Sequence, residues 1–306
     1  MKHTLIMAAL LLACAVASAQ DNPAAFKSRY DRQVRVVGAS GVGVETILDR
    51  WEAAFPDDPA MFEGRYHYFL HKARSTEIVA KDTPKYLGAE PALTLKDSTG
   101  RDVFYFQEDF YVDSLFARSQ TAIDKAIALA PAELGYRVDK ITALMLYEKG
   151  SPDLATAQLL KLIQFNKNDK PSWTYYGLAV DEDTFISTIQ EYCFNFFRFA
   201  TPGCYESFRT VSEAMLKIYP ENTDFLSNLG SYWLVYKQKP RTALKWYNKV
   251  LKINPKDYTA AKNCVILARS EKDKKLEKKY LPLLMEATDS ETERASCQAR
   301  LEALGK

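Results

Sequence analysis

The stretch "DFLSNLGSYWLVYKQKPRTALKWYNKVLKINPKD", residues 224–257, decides the fold. Phe225, Leu229 and Trp233 recur at four-residue steps and share one face of a helix. "YKQKP" interrupts the pattern. Ala243, Tyr247, Val250 and Leu251 then mark a second apolar face. Asn254-Pro255 ends it, because the residue before a proline is pushed out of the helical region. Two helices joined by a short turn make an αα-hairpin.

Leu229-Gly230, Trp233, Ala243, Tyr247, Val250 and Pro255 together resemble the tetratricopeptide repeat family. Gly230 and Ala243 let the two helices approach closely, and the large residues fill the space around them. The turn is one residue longer than the usual family pattern. The period propagates. Pro220 precedes Pro255 by thirty-five residues, and "NLG" at 228–230 returns as "NCV" at 263–265. Second-helix patterns recur as "VETILDRWEAAFP" ending at Pro56, "TAIDKAIALAP" at Pro131, "ATAQLLKLIQFNK" near Lys167 and "FRTVSEAMLKIYP" at Pro220. Such a period marks a helical solenoid.

The spacing predicts six helical pairs: 24–37 with 43–55, 59–72 with 108–130, 134–149 with 152–166, 184–199 with 204–218, 225–237 with 241–253, and 257–270 with 274–288. A helix near 290–303 caps the stack. Excess length places an insertion at about 74–107 and a shorter, aromatic one at about 168–183. Within the first, "ALTLKD-STG-RDVFYF" alternates about a glycine turn and predicts a β-hairpin. The resemblance thus implies an all-α, right-handed α-solenoid of tetratricopeptide-like hairpins over residues 20–306, with a small β-hairpin insertion.

Residues 1–19 read as a secretory signal peptide, with Lys2, an apolar run and "ASA" at 17–19. The competing reading is lipidation at Cys14. No later stretch is apolar enough to span a bilayer. The expected location is the periplasm or cell surface of a Gram-negative bacterium. A formal net charge of +2 leaves no footprint for nucleic acid. Cys193, Cys204, Cys264 and Cys297 have no zinc-site spacing, and three disulfide pairings remain open. Cys193 and Cys204 flank one turn and could bridge if the stagger allows.

"VRVVGASGVGVETILDRW", residues 34–51, imitates a nucleotide-binding strand and loop. It lacks the lysine and hydroxyl of a phosphate loop, and Val44-Glu45 follows the last glycine instead. Phe26, Tyr30, Val34 and Val37 keep helical spacing, so the glycines are read as a turn between helices. Glu63, His67 and His71 share a helix face, yet the metalloprotease pattern is missing and surface imidazoles are the expected reading. The aromatic run "QEYCFNFFRFATPGCYESF" reads as a buried helix pair. The charge run "EKDKKLEKKY", 271–280, reads as solvated surface.

No catalytic constellation, cofactor motif or metal set emerges, and the expectation is a non-enzyme. The family resemblance implies a concave groove that binds a protein or peptide. By position its lining includes Asn228, Ser231, Lys262 and Asn263, while a basic clamp for terminal carboxylates is not reproduced. The leading expectation is an exported scaffold or adaptor. The alternative is a carbohydrate-binding or nutrient-uptake accessory of the cell envelope.

Overall fold

The computed structural model describes residues 22–305. Residues 1–19, read from the sequence as a signal peptide, lie outside the described residues, Cys14 among them. Two compact units emerge. One comprises residues 22–85, Glu90–Tyr147 and Pro171–Asp181, and the other Tyr86–Ala89, Glu148–Lys170 and the chain from Glu182 onward.

The first unit opens with α1 (Pro23–Val37), α2 (Val44–Ala54) and α3 (Pro59–Ala73). Asn22 and Asp58 cap α1 and α3 by accepting hydrogen bonds from Ala25 and Ala60 N–H groups, each just before a proline at the helix start. Proline costs nothing there, since that N–H has no intrahelical partner. Val34 lies inside α1, so no strand enters the glycine loop. Gly38 and Gly43 take φ values of 82° and 84°, which turn the chain tightly and which other residues adopt only with strain. Val44, Leu48 and Trp51 are then buried on α2, as Ala243, Tyr247 and Val250 are on the corresponding helix far along the chain.

After α3 comes a three-stranded antiparallel sheet, β1 (Arg74–Lys81), β2 (Leu93–Lys96) and β3 (Asp102–Tyr111), in the order β1-β3-β2. The predicted hairpin is β2–β3, with Leu93 opposite Tyr105 and Lys96 opposite Asp102. Two differences from the sequence reading share one cause. β1 was not expected, and the helix placed at 108–130 begins only at Asp113, as α4 (Asp113–Leu129). Pairing with β1, from Arg74 opposite Tyr111 to Lys81 opposite Phe104, holds "QEDFY" extended. Long-range ladder bonds override a local pattern that fits a helix equally well. α4 packs against α3 across this sheet insertion. α5 (Leu134–Glu148) follows, and its Asp139 carbonyl accepts a hydrogen bond from Tyr66 at 2.8 Å. A short strap, β4 (Thr174–Tyr175) and β5 (Leu178–Ala179), completes the unit.

The second unit is a run of tetratricopeptide-like helical hairpins: α6 (Asp153–Asp169), α7 (Glu182–Phe199), α8 (Pro202–Leu216), α9 (Thr223–Ser231), α10 (Pro240–Ile253), α11 (Tyr258–Ser270), α12 (Lys274–Ala287) and α13 (Glu291–Gly305). From α7 on, each helix packs against the next in sequence. The extra residue in the 232–240 turn has a structural account. Tyr232–Tyr236 winds as a π-helix, with Lys237 N–H donating to the Tyr232 carbonyl five residues back. A wide turn takes up one surplus residue without breaking the helix.

Burial corrects one surface reading. Glu277, inside the charge run, is 2% exposed and is held by Arg269 at 2.8 Å and Arg300 at 2.9 Å. The aromatic run is mostly interior, with Tyr192, Phe196 and Phe208 buried, but Phe194 faces solvent. The four cysteines among the described residues are buried free thiols. Cys193 meets the Ser212 hydroxyl, whereas Cys204 points at the Gly150 carbonyl, so the two face different neighbours and do not bridge.

Candidate functional site

Three helix faces of the first unit converge on a cleft of about 410 Å³. On α2, the residues facing away from the buried Val44–Leu48–Trp51 stripe are Glu45, Asp49 and Glu52. α3 contributes Phe62, Arg65 and Phe69. α4 contributes Arg118, Thr121, Ala122 and Lys125. Within each helix these positions recur at steps of three or four residues, which puts each set on one face.

The acidic wall is hydrogen-bonded, with one guanidinium among its three carboxylates. Arg65 reaches Glu52 through Nε at 2.8 Å and Asp49 through Nη2 at 2.7 Å. Burial alone would lower the Arg65 pKa, but the hydrogen bonds from its guanidinium to Asp49 and Glu52 outweigh that and raise it. Glu45 accepts a hydrogen bond from the Tyr68 hydroxyl at 2.7 Å. The basic wall is different. The Arg118 guanidinium lies 3.9 Å over the Phe69 ring, and the Lys125 ammonium 5.0 Å over the Phe62 ring. Neither has a carboxylate partner among the described residues. Cations over rings keep most of their charge available, because the ring quadrupole supplies only about 0.5–2 kcal/mol. The cleft therefore offers two cations and two aromatic faces to an incoming group.

The groove residues expected from the sequence lie elsewhere, in the second unit, and they do not act alike. Asn228 is 8% exposed. Its amide donates to Gln190 at 2.8 Å and Ser212 at 3.2 Å, and its carbonyl accepts from Gln190. It is committed to packing and presents no groove surface. Ser231 shares a hydrogen bond with the Tyr247 hydroxyl at 3.1 Å. Lys262 donates to the Tyr258 hydroxyl at 2.5 Å and pairs with Glu293 at 3.3 Å. Asn263, beside it on α11, is half-buried. Sequence reasoning missed the first-unit cleft because its aromatics and cations are split by the sheet insertion. The signal was present as Phe62 with Phe69 and Arg118 with Lys125, each pair two helical turns apart.

The histidines do not form one site. His67 Nε2 stands 3.5 Å from Glu63 and 3.6 Å from Asp139. Burial raises the Asp139 pKa, and the Tyr176 hydroxyl, donating at 2.5 Å, offsets part of that. His71 instead lines a separate cavity of about 70 Å³ with Tyr66 and Tyr111. Burial, then the charges of Arg74 and His67, lower its pKa. Among the described residues no group of three or more His, Cys, Asp and Glu side chains is arranged to hold a metal ion. No helix among them is long and apolar enough to cross a membrane.

The fold defines an architecture, successive antiparallel helical hairpins with a small sheet insertion. No protein-family model matches the chain, and no curated protein matches it. Solved structures do match. One, described as "Functional Characterization of Pseudomonas Aeruginosa pilF", is 16% identical, covers 62% of this chain and 76% of its own, and aligns with a TM-score of 0.39. That likeness carries nothing about function.

Proposed function

We propose that the protein is an exported scaffold that holds an extended, acidic peptide segment of a partner protein in the α2–α3–α4 cleft. The observation that carries this reading is the pair Arg118 and Lys125, poised over Phe69 and Phe62 without carboxylate partners. An acidic side chain meets a cation there while its neighbours lie on the rings. Burying such a charge without a partner is costly, so this basic wall of the cleft favours an acidic group. The export reading rests on the "ASA" processing pattern at 17–19. No catalytic role is assigned.

A photo-crosslinking residue at Thr121, between the two cations, tests the proposal in a cell-envelope extract. A discrete adduct is expected, lost when Arg118 and Lys125 are both changed to Glu. The same adducts from a probe at exposed Thr99, insensitive to that change, would contradict it. The glycan alternative rests on the strap, where Tyr175 and Tyr176 are 40% and 45% exposed. A glycan array that binds the protein but not a Tyr175→Ala/Tyr176→Ala variant would favour it.

A further inference from the structure

The sheet has two edges, and they are not equally protected. β2 is four residues long and ends in Lys96, which is a common way to blunt an edge. β1 runs for eight residues without proline, and its register against β3 is unbroken. A bulge or proline would have disrupted pairing along its outer side.

Which backbone groups face outward follows from the ladder. Val112 N–H donates to the Ala73 carbonyl at 2.9 Å, so residue 73 and its odd-numbered successors turn their backbone groups toward β3. The N–H and C=O groups of Arg74, Thr76, Ile78 and Ala80 therefore point away from it. The Arg74 N–H closes α3 on the Leu70 carbonyl; among the described residues no backbone hydrogen bond from another segment reaches the outward groups of Thr76, Ile78 and Ala80. Ile78 is also 63% exposed, high for an isoleucine at the centre of a strand.

We propose that a second copy of this chain pairs with that edge, β1 against β1, antiparallel about a twofold axis through Ile78. The charges choose the occupant and the register. With Ile78 opposite Ile78, Thr76 faces Ala80, and Arg74 faces Asp82 at both ends. Arg74 has only a long 3.8 Å contact with Asp109, and Asp82 is exposed just past the strand. Sliding the pairing by one residue on each chain toward the N-terminus would oppose Glu77 with Glu77, and like charges directly opposite destabilise. A twofold contact of this kind is self-complementary and closes, so it yields a dimer and not a filament. Lys81 does not obstruct it, because its ammonium is drawn back to Glu108 at 2.5 Å.

The decisive experiment is a cysteine scan of β1 in the full chain carrying Cys14→Ser. The other four thiols are buried. Ile78→Cys places two sulfurs across a hydrogen-bonded pair, where Cα atoms are about 5.5 Å apart and a disulfide closes without strain. Thr76→Cys leaves the equivalent atoms about 13 Å apart along the strands. Under mild oxidation Ile78→Cys is expected to form a covalent dimer at least tenfold faster than Thr76→Cys, and the parent to sediment as a dimer. Ile78→Pro removes only an outward N–H and keeps the β1–β3 ladder, so it is expected to sediment as a folded monomer. A parent chain that sediments as a monomer overturns the proposal. Equal crosslinking at both positions, or a parent that pairs with an added extended peptide in place of its own copy, does so too.

Discussion

Gly230 shows how much one missing carbon contributes. A Cβ there would lie 2.5 Å from the Tyr247 ring, inside any tolerable contact. In an open helix, glycine to alanine gains about 1 kcal/mol. Here the clash reverses the sign, and Gly230→Ala is expected to destabilise by about 1–3 kcal/mol in urea titration. A stabilised variant would show that α9 and α10 are not in close contact. Glu277 is the electrostatic counterpart. Hydrogen bonds from Arg300 first, and from Arg269 against the cost of burial, hold its carboxyl below its ordinary value of 4.5. The folded pKa lies below the unfolded one, so the stabilisation is full above that ordinary value and lost as pH falls through the folded one. Glu277→Ala is expected to cost about 2 kcal/mol at neutral pH, in the range for hydrogen bonds to a charged group. Both arginines are nearly half exposed, so solvent screens them and the figure stays modest. The gap between the two proteins should close in acid denaturation experiments; a constant gap would contradict the pairing.

At the scale of elements, one carboxylate gathers several of the hydrogen bonds that hold the strap at 173–179. Glu133 accepts hydrogen bonds from the Thr174 hydroxyl at 2.7 Å and from the N–H groups of Tyr176, Gly177 and Gly135 at 2.7, 3.4 and 3.1 Å. Tyr176 in the strap has a positive φ, which a side chain disfavours locally. Glu133→Ala should therefore release the strap, seen as loss of hydrogen-exchange protection over 173–179 with the flanking helices unchanged. Protection that persists would mean that packing alone holds it. The elements also show what the sequence could and could not convey. Ends of second helices were legible because proline is a local signal, as at Phe55-Pro56 and Asn254-Pro255. The hairpin around Gly100 was legible from a local signal too, its glycine turn. β1 was not, since "RSTEIVAK" becomes a strand only through β3, thirty residues away. The π-turn at Tyr232–Tyr236 was visible only as a surplus residue.

For the molecule as a whole, the repeat period revealed the hairpins because each copy must bury the same stripe, from Val44, Leu48 and Trp51 to Ala243, Tyr247 and Val250. The proposed cleft did not follow from the period. Surface residues of a repeat are free to differ between copies, so positions transferred from one copy to another need not share a role. Asn228 turned inward to Gln190 and Ser212, while the open cations collected at Arg118 and Lys125. Screening gives a further expectation. Exposed charges weaken as salt rises, with a Debye length of about 10 Å at 0.1 M. Partner binding through these cations should therefore fall with ionic strength, while the folded state barely responds.

The most direct measurement is fluorescence anisotropy of acidic, neutral and basic extended peptides of equal length, titrated with the full chain and with an Arg118→Ala/Lys125→Ala variant. The account predicts that acidic peptides bind best and that the variant weakens them about tenfold or more, equivalent to about 1.4 kcal/mol. Binding that ignores peptide charge, or that survives loss of both cations, would contradict it.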